Sequence, residues 1–139
     1  MSKALIYTVN SGTQAVAAGG TISLGSINRR YGNTCCNNPI INLNGDGITL
    51  AEEGYYKVAV DVTAAPTAAG PVTITLFQDG VALPGGVKTG TAAAAGDAVA
   101  LSLSAPVARV RCGASSSLTV QLTAGAGNVT NIAVSVVKE

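Results

Sequence analysis

Tyr56-Lys57-Val58-Ala59-Val60-Asp61-Val62-Thr63 is the stretch that decides the fold. Tyr56, Val58, Val60 and Val62 alternate with Lys57, Ala59, Asp61 and Thr63. A period of two places the first set on one face of an extended strand and the second set on the other. The β-branched face is the one to bury, so this is a strand with one side against a core.

The same period recurs on both sides of it. Val72, Ile74 and Leu76 repeat it, as do Val99, Leu101 and Leu103, then Leu118, Val120 and Leu122, and last Ile132, Val134 and Val136. Shorter runs at Leu5 to Val9, Thr21 to Leu24, Ile40 to Leu43, Ile48 to Leu50 and Val107 to Cys112 complete the set. Turn signals separate the runs: Asn44-Gly45-Asp46-Gly47, Asp79-Gly80, Pro84-Gly85-Gly86, Ala95-Gly96-Asp97 and Gly125-Ala126-Gly127-Asn128. The segment Ala64 to Gly70 reads as a loop. Residues Gly25 to Asn38 lack alternation and read as a long loop or an arm reaching a neighbour. No segment of helical length carries a 3.6-residue apolar stripe. The expectation is an all-β antiparallel sandwich, a jelly roll of about eight to ten strands.

The chain has 139 residues, enough for one domain with a real core. Residues 1–20 are expected to form a first strand or N-terminal arm, and 21–139 the jelly-roll domain. Aromatics make up 4% of the chain and there is no Trp. Much of the 47% hydrophobic fraction is Ala, which buries little area per residue. This predicts a thin core whose apolar strand faces are completed by neighbouring subunits.

Eight basic residues balance seven acidic ones. No basic stripe suited to nucleic acid and no polybasic membrane patch is present. The N-terminus lacks the apolar stretch of a secretory leader, and no apolar run approaches the length of a bilayer span. Synthesis in a cytoplasm is the expectation, and three cysteines fit it better than a disulfide framework does.

The chemistry of catalysis is sparse. There is no His, which removes the commonest general base and any Ser-His or Cys-His site. Glu52-Glu53 are the only adjacent acids, and their place beside Gly54 reads as a solvated turn rather than a catalytic pair. Cys35, Cys36 and Cys112 lack zinc-ligand spacing and read as buried, nearly apolar thiols. Asn44-Gly45-Asp46-Gly47 lacks the acidic ligands that should follow in a calcium loop. Asn128-Val129-Thr130 matches a glycosylation sequon but reads as a turn into the last strand. No enzyme activity, cofactor or metal is expected. Arg29, Arg30 and Tyr31 in the irregular region, and Arg109 and Arg111 two apart on one strand face, are the candidate partner-binding residues, because Arg and Tyr are enriched at interfaces. An ordinary solvated face is the alternative for all five.

Thr49-Leu50-Ala51-Glu52-Glu53-Gly54-Tyr55-Tyr56-Lys57-Val58 resembles the opening of a strand in tumour-necrosis-factor-like and complement-globular-like jelly rolls. Val72 to Gly85, with Asp79-Gly80 and Pro84-Gly85, resembles a hairpin of bacterial exosporium-type C-terminal domains. Ile27-Asn28-Arg29-Arg30-Tyr31-Gly32 ahead of the same strand pattern is similar to small virion proteins of phages that infect gut-type Gram-positive bacteria. The resemblance covers about four fifths of the chain. It implies a homotrimer around a threefold axis and a decoration protein on the capsid exterior. The partner would be a major capsid protein, with the N-terminal arm as anchor and no collagen-like stalk. The alternative it carries is a receptor- or glycan-binding tip domain on a fibre or spore surface. That would need aromatic platforms, for which Tyr7, Tyr31, Tyr55, Tyr56 and Phe77 are available.

Overall fold

The computed structural model describes residues 3–33, 38–104 and 106–138. Cys35 and Cys36 lie outside the described residues. Among those described there are thirteen strands: β1 (Ala4–Asn10), β2 (Gln14–Val16), β3 (Gly20–Thr21), β4 (Ser26–Tyr31), β5 (Ile41–Asn44), β6 (Gly47–Leu50), β7 (Gly54–Pro66), β8 (Gly70–Gln78), β9 (Val81–Ala92), β10 (Val99–Leu103), β11 (Val107–Val110), β12 (Ser116–Ala124) and β13 (Gly127–Lys138). They form two antiparallel sheets. The first runs β10-β7-β13-β1-β4, with β11 also on β7 and β2 on β13. The second runs β5-β6-β12-β8-β9, with β3 on β12. The chain is an all-β sandwich, as the alternation requires.

The strand count exceeds the expected eight to ten because β2, β4 and β9 correspond to none of the ten alternating runs. A two-residue β3 and a three-residue β2 are too short to carry a period, and β10 and β11 pair with different parts of β7.

Period-two alternation sets the inward face at every long strand. Val58, Val60 and Val62 on β7 lie opposite Val136, Val134 and Ile132 on β13, all buried. Ile74 and Leu76 on β8 face them from the second sheet's inner side, beside Val120 and Leu122 of β12. Tyr56 is the one aromatic in the buried apolar set. The expected thin core is corrected here. Only Ala4, Ala64, Ala92 and Ala108 contribute alanine to that set, and Ile, Val and Leu fill the rest. The other described alanines sit at the surface or only partly covered, so one chain closes its own interior.

Residues 4–10 form β1, which lies inside the first sheet between β13 and β4, with Ala4 and Ile6 buried. Three further expectations change. Gly25 to Asn38 is not all loop. Its Ser26–Tyr31 portion forms β4, whose polar run lacks alternation because all six residues are exposed at a sheet edge. Pro84-Gly85-Gly86 does not separate strands but bulges within β9. Thr75 pairs with Val87 and Phe77 with Ala82, so Leu76 alone faces the four residues 83–86. A bulge of this kind suits an edge strand, where Pro removes no partnered N–H and unwanted pairing is blocked. The Ala64–Gly70 loop shortens to residues 67–69, because β7 runs on to Pro66.

The Asp79-Gly80 hairpin forms as expected. Both residues have positive φ, 52° and 81°, the requirement of a type I′ turn. The Asp79 carboxylate also accepts the Ser117 N–H at 2.9 Å, which ties the turn to β12.

Thr8 is fully buried on β1 and its hydroxyl has no hydrogen-bond partner. An unpaired buried hydroxyl costs stability. Thr8→Val is therefore expected to raise unfolding free energy by about 1 kcal/mol. Ile132→Ala, which empties volume at the centre of the core, is expected to lower it by about 3 kcal/mol. Urea denaturation of the two variants measures both.

Candidate functional site

One end of the sandwich gathers most of the chemistry. The turn joining β6 to β7 holds Ala51, Glu52 and Glu53, and the turn after β11 holds Arg111, Cys112 and Gly113. Beneath the first turn, Lys138 and Tyr56 are register partners on β13 and β7, and both point inward. Each reaches Glu52. The Lys138 Nζ lies 3.0 Å from the Glu52 carboxylate, with the lysine side chain 0% exposed and the glutamate side chain 28%. The Tyr56 hydroxyl donates to the Glu52 main-chain carbonyl at 2.5 Å. Gly54 makes room for this: a Cβ there would stand 2.9 Å from Lys138 Cε, and its φ of 145° disfavours a side chain.

Glu52 is thus no free solvated acid. It neutralises a buried cation, which its sequence neighbours give no means of foreseeing. Burial drives the Tyr56 phenol up to about 12, with the Glu52 carboxylate adding to the rise and the hydrogen bond to the Glu52 carbonyl opposing it.

Above this pair lies an open pocket of about 300 Å³ lined by Glu53, Gly54, Tyr55, Arg109, Val110, Arg111 and Cys112. Register makes the site: β11 pairs with β7 so that Arg109 stands opposite Tyr55. The guanidinium sits over the phenol ring, 5.8 Å from its centre, within cation–π range. Gln78 Nε2 donates to the Arg109 carbonyl at 2.8 Å and to Ser116 Oγ at 3.1 Å, clamping β11 to β12 across the two sheets.

The five residues expected from sequence separate into two places. Arg109 and Arg111 share the pocket, although Arg111 lies just past the end of β11 rather than on the strand. Arg29, Arg30 and Tyr31 are on β4, at the far edge of the same sheet with β1 and β13 between them and β7. Arg29 stands opposite Tyr7, and Tyr31 opposite Leu5. Arg30 Nη1 donates to Asn42 Oδ1 at 2.5 Å and so joins the edges of the two sheets. Cys112 is an exposed free thiol, which corrects the expectation that it is buried; it lies in a turn past the last inward-facing residue of β11. Of the five aromatic platforms, Tyr56 is removed by burial, and Tyr7 and Phe77 are half-buried. Tyr31 and Tyr55 are each 55% exposed. Asn128-Val129-Thr130 lies within β13, not in a turn. Among the described residues, no three His, Cys, Asp or Glu side chains converge as metal ligands would.

No protein-family model matches the chain, and no curated protein matches it. Solved structures do. Murine APRIL at pH 5.0 superposes with a TM-score of 0.72 at 13% identity, over 99% of both chains. The Eiger TNF of S. frugiperda gives 0.69 at 15% identity, over 99% of this chain and 91% of that one. The PRD1 vertex protein P5 gives 0.59 at 12% identity, over 97% and 96%. The chain has a tumour-necrosis-factor-like jelly-roll fold. At these identities the likeness is one of architecture.

Two outcomes follow for the buried cluster. Glu52→Gln takes a carboxylate away from the buried Lys138 charge and is expected to destabilise the fold by about 2 kcal/mol, whereas Lys138→Met, which replaces the charge with a similar apolar volume, costs less; thermal melts rank the two. The Tyr56 phenol has a folded pKa above its unfolded value of 10.0. Its contribution is therefore whole below pH 10 and is lost as pH rises towards 12, about 2–3 kcal/mol in all. Denaturation between pH 9 and 12 should show that slope in the native chain and a flatter one in Tyr56→Phe.

Proposed function

We propose that this chain is a non-enzymatic structural protein of a phage virion, which associates as a trimer and decorates the exterior of the head by binding the major capsid protein. The observation that carries the self-association is the outward face of the first sheet. Across β1, β13 and β7 that face reads Leu5–Val137–Lys57, Tyr7–Ser135–Ala59 and Val9–Ala133–Asp61 in successive rows. Its middle is apolar or small, and a surface of that kind gains most when another copy covers it. The outward face of the second sheet is more polar, although Phe77 and the 53% exposed Val87 also lie on it. Thr49, Ser117, Thr119, Gln121, Thr73, Thr75 and Thr89 cover much of it, with Thr73–Thr89 and Thr75–Thr123 hydroxyl pairs at 2.9 Å.

The virion setting rests on two supports. One is the similarity of the Ile27–Gly32 segment and the strands after it to small phage virion proteins. The other is the architectural likeness to a phage vertex protein. Binding only the assembled shell would stabilise that shell by mass action. The second reading, a receptor- or glycan-binding tip, is favoured by one observation, the Tyr55–Arg109 pocket.

Light scattering should give a mass three times the 13.7 kDa of one chain. Val137→Lys, a change on the central strand of that face, should yield a folded protein of single-chain mass. Capsids of the phage encoding this chain should melt at a higher temperature with the protein bound than without. A native protein of single-chain mass at micromolar concentration sinks the trimer, and identical capsid melting sinks the decorating role.

A further inference from the structure

We infer that the pocket between the β6–β7 turn and the β11–β12 turn binds a saccharide that carries a carboxylate. It goes beyond the structural role above. The site lies among the turns at the end of the sandwich, past the row in which Lys57 faces Val107, and so outside the apolar middle of the associating face.

Three features point to this ligand. First, two arginines, Arg109 and Arg111, line one concavity, and among the described residues neither is paired with a carboxylate. Guanidinium groups recognise carboxylates through paired N–H donors in a fixed plane. Second, the Tyr55 ring is 55% exposed at the pocket wall. A flat aromatic surface with a polar tip suits the C–H face of a sugar ring. Third, Glu53 places an acceptor on the same rim. Sugar hydroxyls can donate to it, whereas an acidic peptide would meet it as a like charge with no hydroxyl donors in compensation. The cavity, about 300 Å³, lies at the small end for ligand sites, as a single acidic sugar would require.

The site is also held in place before any ligand arrives. Gln78 fixes the main chain at Arg109, and the Lys138–Glu52 pair fixes the turn that bears Glu53. Groups already ordered lose less freedom on binding.

The test is calorimetric titration of the native protein with three defined probes: an α-1,4-linked galacturonate hexamer, a hyaluronan hexamer and 3′-sialyllactose. Binding of at least one is expected. Arg111→Ala and Tyr55→Ala should each weaken it tenfold or more, as should raising the salt concentration or methyl-esterifying the probe's carboxylates. Arg111 lies outside the strands, so its variant should melt with the native protein and carries the test even if Arg109→Ala or Tyr55→Ala disturbs folding. Silence with all three probes overturns the inference. So does binding indifferent to Arg111→Ala, and so does equal affinity for a hexaglutamate peptide, which would assign the cations to a protein partner. None of these results bears on capsid melting, so the structural role stands or falls separately.

Discussion

The pairing of β13 with β7 and β1 is the constraint on which the rest of the molecule depends. It runs from Gly127 to Lys138 along β7, and on the other side from Ile132 to Lys138 along β1. Because side chains alternate strictly, this one register decides what lies on each side of the sheet. It sends Ile132, Val134 and Val136 inward against the second sheet, and Ala133, Ser135 and Val137 outward. It also brings Lys138 beside Tyr56, and with it the ion pair that holds the Glu52 turn. A slip by one residue would expose the aliphatic set and bury the other.

The contrast between the two outward faces follows from the same rule applied to different residues. In the first sheet the outward positions of β1 and β13 and the middle of β7 are mostly small or apolar, with the charges of Lys57 and Asp61 on β7 to either side. In the second they are chiefly hydroxyl and amide groups, which bond to one another and to solvent. The low charge of the chain is consistent with both surfaces. Its cations fall mainly at sheet edges and ends: Arg29 and Arg30 on one rim, Arg109 and Arg111 on the other.

How much of this was legible beforehand depends on whether the information was local. The five long runs of aliphatic alternation announced β7, β8, β10, β12 and β13, and Asp79-Gly80 announced its hairpin, because period and turn chemistry are written in adjacent residues. β4 was illegible: Asn28-Arg29-Arg30 has no buried side, and only pairing with β1 makes it a strand. Pro84-Gly85-Gly86 carries the composition of a turn, and only the continued pairing of Val87 to Ala92 with β8 reveals a bulge. At the site, Arg109 and Arg111 stood out as charges two apart. Tyr55 was visible only as one of several aromatics, and its place under Arg109 is a matter of register between strands some fifty residues apart. The partnership of Glu52 with Lys138 spans most of the chain and leaves no local trace.

The placement of β1 beside β13 bears on biosynthesis. The central strand of the first sheet is made after both of its neighbours, so β1 and β7 wait with the space between them unfilled until β13 is made. During that interval the nascent chain exposes Ile6, Val58, Val60 and Val62 with two open strand edges. Long-range pairing of this kind is slow and vulnerable to mispairing. Chains translated side by side on one message would have the opportunity to lend each other that strand, and the bulged rim of β9 guards only the opposite sheet.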